Sequence, residues 1–325
     1  MTEAKHQSSA KAVVELLRGN EFDLRVYEEL YKQIHAHPEL SLHESETASI
    51  VAQNPAMNAF TIHKHIGGHG VAGVFANGAG PTVLLRADMD ALPVEEQTGL
   101  EYASEVRTKN ADEGFETPVM HACGHDMHVA CLLAASDWLS SESVKAHWTG
   151  TLIVVFQPNE EKGQGARAMV EDGLYEKVPV PDVVLAQHIL PMRAGKVAVK
   201  SGTVIAAADS FEITLHGRGG HGSMPQLCID PILLAANIVV RLQGIVSREV
   251  DPQESAVLTV GSLQAGQSEN VIADKAVLKL DIRSQNHETR ERLIKAMRRI
   301  VEKVCGMRNL STLALALYVF LRLRD

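Results

Sequence analysis

The chain has 325 residues and a mass of 35.3 kDa, enough for two domains with real cores. Hydrophobic residues make up 45% and mean hydropathy is −0.03, which excludes intrinsic disorder and fibrous folds. A net charge of −9 with only 4% aromatics argues against a phosphate-tracking or base-stacking surface, so no nucleic-acid partner is expected.

Residues 9–36 read as helix, with Val26, Leu30 and Ile34 on one core-facing stripe and Pro38 as the stop. Residues 46–53 read as a second helix. VAGVFA (71–76) and TVLLRA (82–87) are β-rich runs joined by NGAGP, which predicts a hairpin. Residues 126–139 are predicted helical, with Asp126 where its charge suits the helix N-terminus. TLIVVF (151–156) reads as a buried strand, 166–170 as a short helix and DVVLA (182–186) as another buried strand. Apolar strands alternating with helices predict an α/β domain: a mostly parallel sheet with helices on both faces.

The pattern changes near residue 199. SFEITLHG (210–217) alternates like a half-exposed strand. DPILLAANIVVRLQGIVS (230–247) reads as an amphipathic helix capped by Asp230 with Pro231 in its first turn. Residues 256–266 and 276–284 read as strands and 287–304 as a helix. This β-α-β-β-α order predicts a small ferredoxin-like α+β domain over 199–307, short of one strand. Residues 308–325 form an atypical tail that could supply that strand.

Four cysteines make no disulfide framework. Residues 1–20 hold no apolar core of a secretory signal, and the longest apolar run, 313–321, is too short to span a bilayer. A cytoplasmic protein without a membrane partner is expected.

Three predicted strands run into polar residues that a core would not choose. They are Asp88 and Asp90 after TVLLRA, Gln157, Glu160 and Glu161 after TLIVVF, and Gln187 and His188 after DVVLA. Binding crevices of open α/β sheets lie at the carboxyl ends of strands. A fourth cluster, His121-Ala-Cys123-Gly-His125-Asp126-Met-His128, immediately precedes a helix. Imidazole, thiolate and carboxylate together suit zinc or manganese. Each piece has a plainer reading. Asp88 and Asp90 could be turn residues before Pro93, the glutamates a solvated loop, and His188 a core histidine. His35 and His37 suit a structural role at a helix end. Gly217, Gly219 and Gly222 match a dinucleotide pattern, but Met224-Pro225 follows in place of a helix and Leu242 stands where a ribose-binding acid belongs. These glycines more simply let His221 stand on a tight turn.

With these residues laid out, the sequence resembles the metal-dependent amidohydrolases that include aminoacylases, hippurate hydrolases and auxin-conjugate amidohydrolases, a peptidase family with an inserted dimerisation domain. The resemblance rests on IHAHPELSLHESETA (34–48), LLRADMDALPVEE (84–96), MHACGHDMHVA (120–130), FQPNEEKGQGA (156–166), QHI (187–189), GRGGHGSMP (217–225), DPI (230–232) and NVIAD (270–274). It implies two divalent metal ions, zinc or manganese, held by Cys123, His125, Glu161 and His188. It makes Glu160 the general acid/base and places Asp88 and Asp90 behind the ligands as orienters. It gives His221 the reacting carbonyl, reached across a dimer interface, and Asn270 and Arg283 the substrate carboxylate. The implied reaction is hydrolysis of the amide bond of a small N-acyl amino acid by a homodimer paired through 199–307. The family pattern continues past the small domain with one more ligand histidine and much of the sheet. Nothing after Met307 resembles it. The catalytic domain over 1–198 is therefore read as an N-terminal part only, with a catalytically impaired remnant as the alternative.

Overall fold

The computed structural model describes residues 11, 13–19, 22–109, 116–306 and 318–322. They fall into two compact units, Met1–Arg193 and Ala194–Asp325. The division lies a few residues before the change of pattern read near 199.

In the first unit, residues 13–19 are helical and 22–24 are not, so the single helix expected over 9–36 is broken. Its second part is α1 (Arg25–Ala36). The buried stripe of α1 is Tyr27, Leu30 and Ile34, while Val26 is exposed. Then follow α2 (Ser45–Gln53), β1 (Thr61–Ile66), β2 (Gly70–Asn77), β3 (Thr82–Asp88), and the short pair β4 (Arg107–Lys109) and β5 (Glu116–Pro118). α3 (His125–Ser140), α4 (Glu142–Lys145), β6 (Gly150–Gln157), α5 (Gly165–Glu171), α6 (Leu174–Lys177) and β7 (Val183–Ala186) complete it.

The main sheet has the order β1-β2-β6-β3-β7. It is mixed: β3 runs parallel to β6 and β7, whereas β2 is antiparallel to β1 and β6. The expected β2–β3 hairpin does not form. β6 lies between them, because TLIVVF is apolar on both faces and takes the centre. The true hairpin is β1–β2, turned at Gly67 and Gly68, both at positive φ. The polar TIHKHI of β1 had hidden it.

β6 divides the core. Leu152, Val154 and Phe156 pack with α1, α2 and α3 on one face, through Leu30, Ile34, Val51, Val129 and Leu133. Ile153 and Val155 pack on the other against Met169, Leu174 and Val178. β7, expected to be buried, is exposed along its whole length, Val183 to Leu185 at 45–58%. It is one of the two edge strands of the sheet among the described residues, β1 being the other.

The second unit contains β8 (Ala207–His216), β9 (Gly220–His221), α7 (Pro231–Glu249), β10 (Ala256–Ala265), β11 (Val271–Ile272), β12 (Lys275–Ser284), α8 (His287–Gly306) and β13 (Tyr318–Arg322). Asp230 caps α7 by accepting the N–H groups of Ile232 and Leu233. The four long strands order as β10-β12-β8-β13, all antiparallel. The tail thus supplies the fourth strand at 318–322 and completes the ferredoxin-like order; residues 308–317 and 323–325 lie outside the described residues. Both helices cover one face of this sheet, with Leu234, Ile238 and Leu242 of α7 and Leu293, Met297 and Val301 of α8 against Phe211, Ile213, Leu278 and Leu280. Among the described residues α7 is the one helix long and apolar enough to cross a membrane. Its inward stripe is nevertheless committed to this core.

Candidate metal centre

β3, β6 and β7 run parallel, so their carboxyl ends share one edge, where Asp88 pairs in register with Gln157. α3 begins there too. Gly124 precedes it at φ +80, a turn that favours glycine, and a Cβ would stand 2.1 Å from Ile189.

His125 is the hub. Its ring is fully buried. Its Nδ1 lies 3.3 Å from Asp90 Oδ1, and its Nε2 lies 3.6 Å from Asp88, 3.9 Å from Glu160 and 3.8 Å from Glu161. Three donor groups converge within 4.8 Å around it: Cys123–His125–His188, Asp88–His125–His128 and His125–Glu160–Glu161. Cys123 Sγ stands 3.7 Å from His188 Nε2. The sequence placed His128 in the candidate cluster but gave it no role. Its Nδ1 bonds Asp88 at 2.6 Å and its Nε2 accepts the Ile189 N–H at 3.0 Å, so it ties the end of β3 to the loop after β7. The M-H of HDMH, one turn after His125, was the available signal. Asp88 and Asp90 are not turn residues: Asp88 also takes Arg86 at 2.8 Å, and Asp90 takes Ser41 Oγ at 2.6 Å and the Glu161 N–H at 2.8 Å.

The electrostatics favour a cation. Burial opposes charge on His125, yet the facing Asp90 carboxylate, the Cys123 thiol and Asp88 outweigh it and push the ring up to about 11. The neighbouring imidazoles His125 and His188 hold the Cys123 thiol below its usual range. Burial raises Asp88 and Asp90, but His128 and Arg86 for the first, and His125, Ser41 and the Glu161 N–H for the second, bring both below the usual carboxylate range. Both ring nitrogens of His125 and Glu161 Oε1 are buried without a well-formed hydrogen bond. Thiolate, imidazole and carboxylate donors left open in one buried cluster fit divalent metal. His121 is different: burial, helped by the nearby His125 and His35 rings, pushes it down to about 4, so it is a neutral ring.

His35, in the last turn of α1, has the structural role read for it. It is a buried bridge, Nδ1 to Asp126 at 2.6 Å and Nε2 to Glu96 at 3.1 Å. His37 is structural, its Nδ1 bonded to the Gln33 carbonyl at 2.9 Å.

The remaining candidates belong to the second unit. His221 on β9 is exposed, its Nδ1 held by Ser223 Oγ at 2.8 Å. Asn270 is its neighbour, with its carbonyl taking the Gly222 N–H at 2.8 Å. The glycines here serve close approach rather than a left-handed turn: a Cβ on Gly217 would lie 2.3 Å from Ile229 O, and one on Gly219 2.7 Å from Ile272 O. Arg283 is not brought to this pair. β12 meets β8 at Lys275–His216 beside it, and Arg283 sits near the opposite end, roughly 26 Å along at about 3.3 Å per residue. There it pairs with Asp281 at 2.8 Å.

A buried cluster of thiol, imidazole and carboxylate donors stands at the carboxyl edge of an α/β sheet, in a chain that also carries a ferredoxin-like unit. The family model for Peptidase family M20/M25/M40 matches residues 84–316, and the chain belongs to that family. A hippurate hydrolase from Campylobacter jejuni is 43% identical over 267 residues, 82% of this chain and 66% of its own length. An IAA-amino acid hydrolase ILR1-like 5 from Arabidopsis thaliana is 37% identical over 76% of this chain and 54% of its own. The chain thus spans between about half and two thirds of these relatives. Among solved structures, a putative aminohydrolase from methicillin-resistant Staphylococcus aureus matches with TM-score 0.76 and 34% identity, over 86% of this chain and 72% of that one. A Bacillus subtilis dinuclear metal-binding peptidase of the M20 family matches with TM-score 0.67 and 31% identity, over 87% and 70%.

Proposed function

We propose that this chain hydrolyses the amide bond of small N-acyl amino acids with two divalent ions. The observation that carries the reading is that Cys123 with His188, and Glu160 with Glu161, each converge on the buried His125. Relatives named for hippurate, N-acetyl-L-cysteine and IAA-amino acids point to an acyl group on an amino acid as the substrate class. Cys123, His125, Glu161 and His188 would hold the ions, zinc being favoured by the thiolate and manganese by the carboxylates. When bound, such ions lower the pKa of a water and polarise a carbonyl.

The protein groups do the rest. Glu160 takes a proton from the attacking water and returns it to the leaving amine nitrogen. Asp88, through His128, and Asp90, through His125, fix ring orientation. His221 donates to the carbonyl oxygen, and Asn270 and Arg283 serve the substrate carboxylate, Arg283 only if its Asp281 pair opens. A homodimer through the second unit is supported by exposed Ile232, Leu233 and Val240 on α7 and Val257 and Leu263 on the neighbouring edge strand β10. A cytoplasmic setting agrees with four free cysteines.

The test loads the purified chain with zinc or manganese, counts ions after dialysis, and assays N-acyl amino acids. Close to two ions per chain and turnover are expected. Glu160→Ala should lower kcat by about 10²–10⁴-fold while keeping the ions. Wild-type kcat in Glu160→Ala would sink the acid/base assignment.

A further inference from the structure

The segment between α1 and α2, Glu39–Glu44, was legible only as a family motif; its geometry shows what it grips. Glu44 is fully buried. One of its oxygens, Oε1, accepts two backbone N–H groups, Leu42 at 3.0 Å and Asn159 at 2.7 Å. Both donors belong to non-glycine residues in the left-handed region, Leu42 at φ +74 and Asn159 at φ +54. Such conformations persist only where the surroundings over-determine them, and they collect at functional sites.

Asn159 directly precedes Glu160 and Glu161. Its carbonyl in turn takes the Gly165 N–H at 3.1 Å, and a Cβ on Gly165 would lie 1.6 Å from Pro158 O, so the loop is folded tightly on itself. On the far side of Glu160, the Glu161 N–H is held by Asp90 Oδ2, which also takes Ser41 Oγ. Segment 41–44 therefore grips both shoulders of Glu160. Its own base is fixed by Glu39, whose carboxylate accepts the N–H groups of Glu46 and Thr47 at the start of α2. A buried acid is a costly way to fill this space, since an apolar side chain would avoid the desolvation. What the acid adds is an acceptor for the peptide that aims the two glutamates.

We propose that Glu44 is a positioning residue: it holds Asn159 left-handed and so sets the Glu160–Glu161 pair against His125. This rests on the reading of that pair as acid/base and metal ligand.

The experiment uses the full chain, zinc as the probe, and chelator competition as a readout independent of turnover. Glu44→Met keeps the volume and removes the acceptor. It is expected to weaken zinc binding about 10–100-fold and to lower kcat with KM within about threefold. Glu44→Gln retains the accepting oxygen and should stay within about threefold of wild type in both. Glycine enters the left-handed region without help, so adding Asn159→Gly to Glu44→Met should restore zinc affinity. Wild-type zinc affinity in a folded Glu44→Met overturns the proposal, and so does a double variant as weak as Glu44→Met. Should Glu44→Met not fold, Asn159→Ala against Asn159→Gly decides: only the alanine should weaken zinc. If the wild-type chain binds zinc but hydrolyses no amide, the functional reading fails while the zinc comparison still decides the role of Glu44.

Discussion

Asp88, Asp90, His125, Glu160 and Glu161 lie at 0–9% exposure, at the ends of the inner strands β3 and β6 and the start of α3, and bonds of 2.6–2.8 Å hold Asp88, Asp90 and Glu161. His188 stands just past the end of β7, an edge strand exposed on every residue, and its Nδ1 bonds the adjacent Ile189 carbonyl at 2.6 Å. The same candidate centre thus has a buried, over-determined side and an exposed, lightly held one. Orientation on the first side is built into the fold. On the second side it comes from the Cys123–His188 contact at 3.7 Å and from edge contacts of the His188 ring with His128 and His125.

Removing the hub of each side separates stability from metal binding, and here the largest effect is expected. His125→Ala leaves Asp88 and Asp90 buried with a partner lost. Breaking a buried ion pair costs about 3–5 kcal/mol, which for a unit of this size lowers Tm by roughly 10 °C. His188→Ala should lower Tm of the ion-free chain by no more than about 4 °C, because the half-buried ring gives up edge contacts with His125 and His128, a smaller loss than a buried ion pair. Zinc affinity should fall in both. Thermal melts of the two ion-free variants, with chelator titrations beside them, test the contrast; a His188→Ala melt as low as that of His125→Ala would erase it.

The difference also governs what could be read from sequence. The carboxyl-edge convergence was legible because β3, β6 and β7 each run into acid or histidine within a few residues, and polar residues following apolar strands are conspicuous. The second unit was legible because its strands alternate and α7 carries its own cap and proline. Three things were not. β1 is too polar to look like a strand, so β2 was matched with β3 instead of leaving room for β6. DVVLA reads as buried because only its composition is visible, whereas burial depends on what lies beside it. Glu44 is hidden for another reason: its role passes through backbone N–H groups 2 residues before and 115 residues after it, and backbone partners leave no side-chain signature. Arg283 shows the converse, a plausible charge whose position only the register of β12 reveals.

Behind the buried side, His35 offers a smaller, pH-dependent effect. Asp126, opposed by burial and supported by Glu96, raises it from 6.5 to about 9. A folded pKa above the unfolded one means the protonated ring stabilises the fold. That contribution is complete below about 6.5 and disappears as pH rises through about 9. Melts of the ion-free chain should therefore fall between pH 7 and 9. His35→Gln, lacking the titration, should flatten that slope and lower Tm at pH 6. A wild-type curve flat across this window would show that His35 is not the charged bridge its distances describe.

The exposed side yields the smallest expected effect. Val184 sits mid-strand on β7 at 58% exposure, with its backbone paired to Leu84. Val184→Lys removes no contact in the core, so it should change stability by no more than about 0.5 kcal/mol. A charge on an edge strand also discourages pairing with another chain, so the variant should be less prone to self-association by light scattering. If Val184→Lys instead lowered Tm as a core substitution would, then β7 is covered in solution and His188 stands on a surface as firmly held as that of His125. The two sides of the centre would then differ only in what the first 193 residues themselves provide.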